Sequence, residues 1–89
     1  LPTEFGLLRG YPNPFNPAIT ISFSLPESGV GSLSIFDING REVARLQQGW
    51  LNAGTHAVKW QPGNEASGLY FYRLVQGTNT AVGRAMYIK

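Results

Sequence analysis

This 89-residue sequence predicts an all-β fold, an antiparallel two-sheet sandwich of about seven strands, and three observations predict it. Several segments alternate apolar and polar residues at period two, and none repeats at the helical period. Turn-forming residues recur at intervals of roughly 8–14 positions, the punctuation of short strands. The run Leu69-Tyr-Phe-Tyr-Arg-Leu-Val75 is apolar on both faces apart from Arg73, which belongs inside a sheet rather than at its edge. A small barrel is the alternative closure.

Leu1–Gly10 mixes Pro2, Gly6 and Gly10 with Phe5, Leu7 and Leu8, and reads as a linker running into a short edge strand around Leu7–Arg9. In Tyr11–Pro17, Pro12, Pro14 and Pro17 fix their own φ and push Tyr11, Asn13 and Asn16 toward extended backbone. That excludes a helix, and Asn13 and Asn16 are expected to bond locally in Asx-type turns. Ala18–Leu25 then alternates cleanly. Ile19, Ile21, Phe23 and Leu25 point one way, Thr20, Ser22 and Ser24 the other, and Pro26 ends the strand.

Glu27–Gly29 turns the chain into a strand over Gly31–Asn39, with Leu33 and Ile35 on one face and Phe36 and Ile38 making the far end apolar. Asn39-Gly40 can supply both positive-φ residues of a type I′ turn, so the flanking strands are expected to pair as a hairpin, with Arg41 opening the return. In the return strand Arg41–Gln48, Val43 and Leu46 are three apart. After an Asn-Gly turn that break of period two predicts a bulge or a short twisted strand, not a helix. Gly49–Gly54 reads as a loop carrying Trp50 and Leu51. Thr55–Trp60 is a strand with His56, Val58 and Trp60 on one face. Gln61–Gly68 is a loop, Leu69–Gln76 the central strand, and Gly77–Asn79 a turn. Thr80–Lys89 is the last strand, with Val82, Met86 and Ile88 sharing a face. Strands of this number and spacing point to the immunoglobulin-like type of sandwich.

Composition narrows function. One domain fits this length, residues 1–10 being linker and edge strand and residues 11–89 the core. A domain of this size buries about 60–65% of its unfolded surface and keeps about 5–10 kcal/mol of net stability. There is no cysteine to add a disulfide or thiolate metal site. Formal net charge is +2 with the cations scattered, so no nucleic-acid partner is expected. No apolar stretch approaches the roughly 20 residues of a membrane-spanning helix, and no membrane insertion is expected. Beginning at Leu1 without a signal peptide, the chain reads as a piece excised from a longer protein.

The residues offer no chemistry. His56 is the single histidine, on a face with Val58 and Trp60, and reads as a hydrogen-bonded core-edge residue. Glu4, Glu27, Asp37, Glu42 and Glu65 are dispersed, with no acid–base pair among them. Asp37 and Asn39 flank the hairpin turn and are expected to bond backbone rather than calcium. No catalytic residue, metal or cofactor is expected. Recognition is the remaining class. Trp50, Tyr87 and Phe36 could form an aromatic platform for sugars, although Trp50 is more readily read as folding over the open end of the sandwich. Arg73 either lays its stem on the apolar strand or bonds at the sandwich edge.

Five blocks in register carry a resemblance. They are Tyr11-Pro-Asn-Pro-Phe-Asn-Pro-Ala-Ile-Thr-Ile-Ser-Phe-Ser-Leu-Pro26, Leu33–Val43 with its Asn39-Gly40-Arg41 turn, Asn52–Trp60 with Gly54, His56 and Trp60, Ser67–Leu74, and the terminal strand ending on Lys89. Together they resemble the C-terminal sorting domains, type A, of the type IX (Por) secretion system of Bacteroidetes-type bacteria. The likeness spans about residues 5–89, and departs from the family pattern at Arg9-Gly10 and over Gln61–Ala66. It implies an immunoglobulin-like fold related to the domain of flagellar hook-capping proteins. It also implies a non-catalytic address label behind an N-terminal cargo domain. That label would be recognised in the periplasm by the type IX machinery, carried across the outer membrane, and commonly removed by a sortase-like outer-membrane protease that attaches the cargo to the cell surface. Pro12, Asn13, Pro14, Phe15, Asn16 and Pro17 match the opening motif. The recognition surface is expected on Gly68–Arg73, including Tyr70 and Tyr72, and on the terminal strand through Arg84 to Lys89, with strand addition at an exposed edge as its mode. An immunoglobulin-like spacer domain is the second reading, and a carbohydrate-binding module the third.

Overall fold

The structure, a computed structural model, describes residues 4–89. The linker expectation for Leu1–Thr3 lies outside them. Seven strands follow in order: β1 (Gly6–Tyr11), β2 (Ile19–Leu25), β3 (Gly29–Phe36), β4 (Glu42–Leu51), β5 (Gly54–Trp60), β6 (Gly68–Gln76) and β7 (Asn79–Tyr87). They form two antiparallel sheets, β1-β2-β5 and β4-β3-β6-β7. This is the all-β sandwich that the alternation predicts. In the constant-type immunoglobulin arrangement the fourth strand joins the first, second and fifth; here β4 pairs with β3 instead.

Alternation decides which side chains meet between the sheets. β2 sends Ile19, Ile21, Phe23 and Leu25 inward, and all four are fully buried. Leu33 and Ile35 of β3 and Tyr70, Tyr72 and Leu74 of β6 face them, with Trp60, Phe15 and Tyr87 filling one end. β6 lies between β3 and β7, the interior position read from its two-sided apolar pattern.

The β3–β4 hairpin forms, but its turn is not type I′. Gly40 is left-handed (φ 84°), while among the described residues none other than glycine has positive φ, so Asn39 does not supply the second such position. The Gly40 N–H donates to the Asp37 carbonyl and the Asp37 N–H to the Arg41 carbonyl, 3.0 and 2.9 Å. That is a three-residue loop closed by a left-handed glycine. It forms because the Asp37 carboxylate takes the Asn39 and Arg41 N–H groups at 2.9 and 3.0 Å, holding the backbone in this shape. The return strand carries two register shifts, which skip Val43 and Leu46. The two residues that break period two are the bulged ones, and both pack against the core.

Gly49–Leu51 is strand rather than loop. β4 runs on to Leu51, only Asn52 and Ala53 link it to β5, and left-handed Gly49 (φ 107°) lets the strand continue. Trp50 does not fold over the open end. It pairs with Val30 in register and stands 66% exposed, its indole N–H donating to Asn52 Oδ1 at 3.0 Å. Val82, Met86 and Ile88 do share a face, but it is the solvent face.

Candidate functional site

The proline-rich segment does more than introduce β2. All three of its X-Pro peptide bonds, before Pro12, Pro14 and Pro17, are cis. Asn13 does not bond locally. Its side-chain amide donates to the Arg84 carbonyl and its Oδ1 accepts the Met86 N–H, both at 3.0 Å. The Phe15 N–H then donates to the Met86 carbonyl at 2.8 Å, and the Ile88 N–H to the Phe15 carbonyl at 3.1 Å. Asn13–Phe15 thus lies along the edge of β7 as a short parallel partner, with Asn13 imitating backbone. Phe15 passes inward between the sheets, stacked on Tyr87 (centroids 5.1 Å) and tilted against Trp60 (5.6 Å). Pro12, Pro14, Asn16 and Pro17 stay exposed. The expectation of an open terminal edge is corrected over Arg84–Ile88: the groups that an incoming strand needs there are already taken.

Alternation divides β6 and β7 into two sets. Tyr70, Tyr72, Ala85 and Tyr87 face the core. The Tyr70 hydroxyl donates to the Ala66 carbonyl at 2.6 Å, and its ring meets Trp60 edge-on at 5.3 Å. Burial raises the pKa of both Tyr70 and Tyr72. The Tyr72 ring lies across Gly83, its register partner, and its hydroxyl reaches Gly10 of β1. A Cβ would meet that hydroxyl at 2.6 Å from Gly10, and the ring at 2.5 Å from Gly83. Both rings are therefore seated in the core, out of a partner's reach.

The other set faces solvent. The register builds rows across the outer face of the four-stranded sheet: Glu42, Phe36, Phe71, Arg84, and beside it Arg45, Ser34, Arg73, Val82. Arg73 lays its guanidinium over the Phe36 ring, 4.5 Å from the centroid, which resolves the oddity of a cation in an apolar strand. Arg73 and Arg84 are diagonal neighbours on this face. Gly68 opens β6 opposite Tyr87, and exposed Lys89 donates its N–H to Ser67 Oγ at 2.8 Å.

The remaining motif residues are brought elsewhere. Asn39, Gly40 and Arg41 form the β3–β4 turn, where Arg41 Nε lies 3.3 Å from Asp37 Oδ2. Hydrogen bonding from the Arg41 backbone, more than any other cause, lowers the Asp37 pKa. Gly54 (φ 128°) opens β5. His56 stacks flat on Phe23 (centroids 5.1 Å), with Nε2 2.6 Å from the Asn52 carbonyl. An open hollow of about 350 Å³ is lined by Asp37, Arg41, Glu65, Ser67 and Tyr70 and presents no nucleophile–base pair. Among the described residues no three His, Asp or Glu side chains gather as metal ligands. Among the described residues no helix is long and apolar enough to cross a membrane. The sugar platform does not assemble. Tyr87 is inside, Phe36 is covered by Arg73, and Trp50 stands alone beside Val30.

Three features escape sequence reasoning: the Asn13 clamp, the Arg73–Phe36 stack and the glycine seat of Tyr72. Only the last had a signal, since Gly83 lies inside a strand with no turn residue beside it, a mark of close approach.

A family model for a secretion system C-terminal sorting domain matches residues 9–89. No curated protein and no solved structure gives a match to the chain.

Proposed function

The chain belongs to the family of secretion system C-terminal sorting domains, and from that premise we propose that its folded sandwich, rather than an extended tail, is what the type IX machinery reads. A domain of this family is a sorting signal for export across the outer membrane, and its role is not catalytic. The cargo precedes it in the precursor and reaches the cell surface or the medium. The finer steps belong to the proposal. Residues 1–89 act as one unit, residues 1–10 as linker and edge and 11–89 as core. The unit passes through the periplasm, and a sortase-like outer-membrane protease then separates it from the cargo. Arg73, Arg84 and Lys89 meet the machinery, while Gly68, Tyr70 and Tyr72 shape the strand that carries Arg73.

The observation that supports a folded signal is the seating of β7. Asn13 and Phe15 bond its backbone from Arg84 to Ile88. These bonds tie the opening motif to the strand that carries the outward side chains of Arg84 and Met86.

A fusion tests this. Leu1–Lys89 is attached to the C-terminus of a periplasm-targeted fluorescent protein in a type IX-competent bacterium, beside a host lacking the translocon and a Phe15→Ala fusion. Export of the intact fusion that needs both the translocon and Phe15 is the expected result. Export of the Phe15→Ala form at the wild-type level, with its sandwich unfolded, overturns the folded-signal reading. Retention of the folded wild-type fusion in the periplasm overturns the sorting role.

A further inference from the structure

We infer that the outer face of the four-stranded sheet is the docking surface of this domain, and that its occupant is a protein surface on which carboxylates are flanked by apolar side chains. The inference rests on the sorting reading and replaces strand addition with face-to-face contact.

Edges come first. A strand adds only where a run of backbone groups is unpaired, and sheets guard such runs with bulges and covering segments. On this sheet β4 carries two register shifts, and β7 is covered over Arg84–Ile88 by Asn13–Phe15. Neither edge offers a long straight template, whereas the face between them is open.

The chemistry of that face is unequal. Val82 is 59% exposed, Met86 39%, Val30 68% and Trp50 66%, four large apolar side chains on one sheet surface. Among them stand Arg45, Arg73 and Arg84, opposed by Glu42 alone, which Arg45 already holds at 2.9 Å. The other carboxylates, Glu4, Glu27, Asp37 and Glu65, all lie outside the strands. Among the described residues Arg73 and Arg84 have no carboxylate partner. The stack on Phe36 holds the Arg73 guanidinium against the ring, and the residue is exposed. A guanidinium fork suits bidentate capture of a carboxylate. Anionic saccharide would satisfy the arginines but leave Val82, Met86, Val30 and Trp50 without apolar cover, so the combination favours protein.

Four fusions to the periplasm-targeted fluorescent protein decide the matter in a type IX-competent host: wild type, R73E/R84E, V82E and R9E/K59E. The last makes the same charge change on the outer side of the three-stranded sheet. Thermal melts of the purified domains check folding, and V82E, at an exposed position, stands in if R73E/R84E does not fold. The inference expects the exported fraction of R73E/R84E and of V82E to fall at least tenfold while R9E/K59E stays within twofold. Equal losses in R73E/R84E and R9E/K59E would reduce the effect to net charge and overturn it, as would wild-type export of R73E/R84E. Wild-type domain that binds liposomes bearing the host's anionic lipopolysaccharide, with R73E/R84E losing that binding, would make lipopolysaccharide the occupant instead. Failure of the wild-type fusion to be exported would remove the sorting premise itself, a result distinct from selective failure of the face variants.

Discussion

The inner and outer faces of β7 differ in almost every physical respect, although they belong to the same nine residues. Inward, Gly83 makes room for the Tyr72 ring, Ala85 is fully packed and Tyr87 stacks on Phe15. Outward, the side chains of Val82, Arg84 and Met86 are exposed. Period two lets one strand serve two masters. The lesson is that a sorting motif in the sequence mixes residues that build the platform with residues that face the partner, and only the alternation separates them. Each prediction below assigns an effect to one face and would fail if the faces were coupled.

Phe15→Ala removes the ring that joins Trp60 to Tyr87, and should cost about 3–5 kcal/mol, as large-to-small changes at fully buried aromatic sites do. Against a total of about 5–10 kcal/mol for a domain this small, denaturant melts should show a midpoint near collapse. A loss below 1 kcal/mol would mean that this end of the sandwich is loosely packed and the inner face less decisive than described.

Gly83→Ala comes next. Its Cβ would meet the Tyr72 ring at 2.5 Å, and overpacking of this kind costs about 1–3 kcal/mol. Gly10→Ala meets the same tyrosine at its hydroxyl, 2.6 Å away. Tyr72→Phe should therefore recover much of the Gly10→Ala loss and little of the Gly83→Ala loss. Melts of the three single and two double variants check this, and equal rescue would disprove the seating. The same burial gives a pH signature. Tyr70 and Tyr72 have pKa values raised above the ordinary tyrosine value near 10, because burial disfavours their anions. Their contribution should be intact below that pH and decline as pH rises through the raised values, since the unfolded chain releases protons first. Tyr72→Phe should flatten the alkaline limb of a stability–pH curve.

These two seats mark the boundary of what was legible. Strand number and the inward set Ile19, Ile21, Phe23 and Leu25 follow from period two, and the interior place of β6 from its two apolar faces; both signals depend on neighbours in the chain. The Val43–Leu46 spacing marks an irregular return strand for the same reason, but does not reveal that it holds two bulges rather than one bulge or a short twist. The Asn13 clamp was not, because its partners, Arg84 and Met86, lie 71 and 73 residues away and nothing local distinguishes it from an Asx turn. Trp50 departs from expectation because Gly49 reads as a loop residue, whereas at φ 107° it keeps the strand going. Of the recognition residues, Arg73 and Arg84 could be placed on one face only once the β6–β7 register was known.

Asn13→Ala should cost about 1–2 kcal/mol, the loss of two partly exposed hydrogen bonds at about 0.5–1.5 kcal/mol each. Hydrogen exchange sharpens it, since the Met86 amide loses its only acceptor and should exchange faster, whereas the amides of β3 should slow or hasten only with global stability. Asn13→Asp keeps the acceptor for the Met86 N–H and loses the donor to the Arg84 carbonyl. It should fall between wild type and Asn13→Ala, and an Asp variant no better than Ala would show that the donor alone holds the edge.

Val82→Ser is expected to have the smallest effect on folding. The side chain is 59% exposed and opposite Arg73, so stability should shift by no more than about 0.5 kcal/mol, the usual range for a surface change. Export of the fusion should nevertheless fall several-fold, because the apolar cover between the arginines is lost while the platform beneath is untouched. A parallel loss of stability and export would tie the outer face to the core and undo the division between them. Unchanged stability with unchanged export would confine the outer face to solvent. Only the dissociation of the two readouts, with folding held and export reduced, is what a strand with one structural and one recognition face predicts.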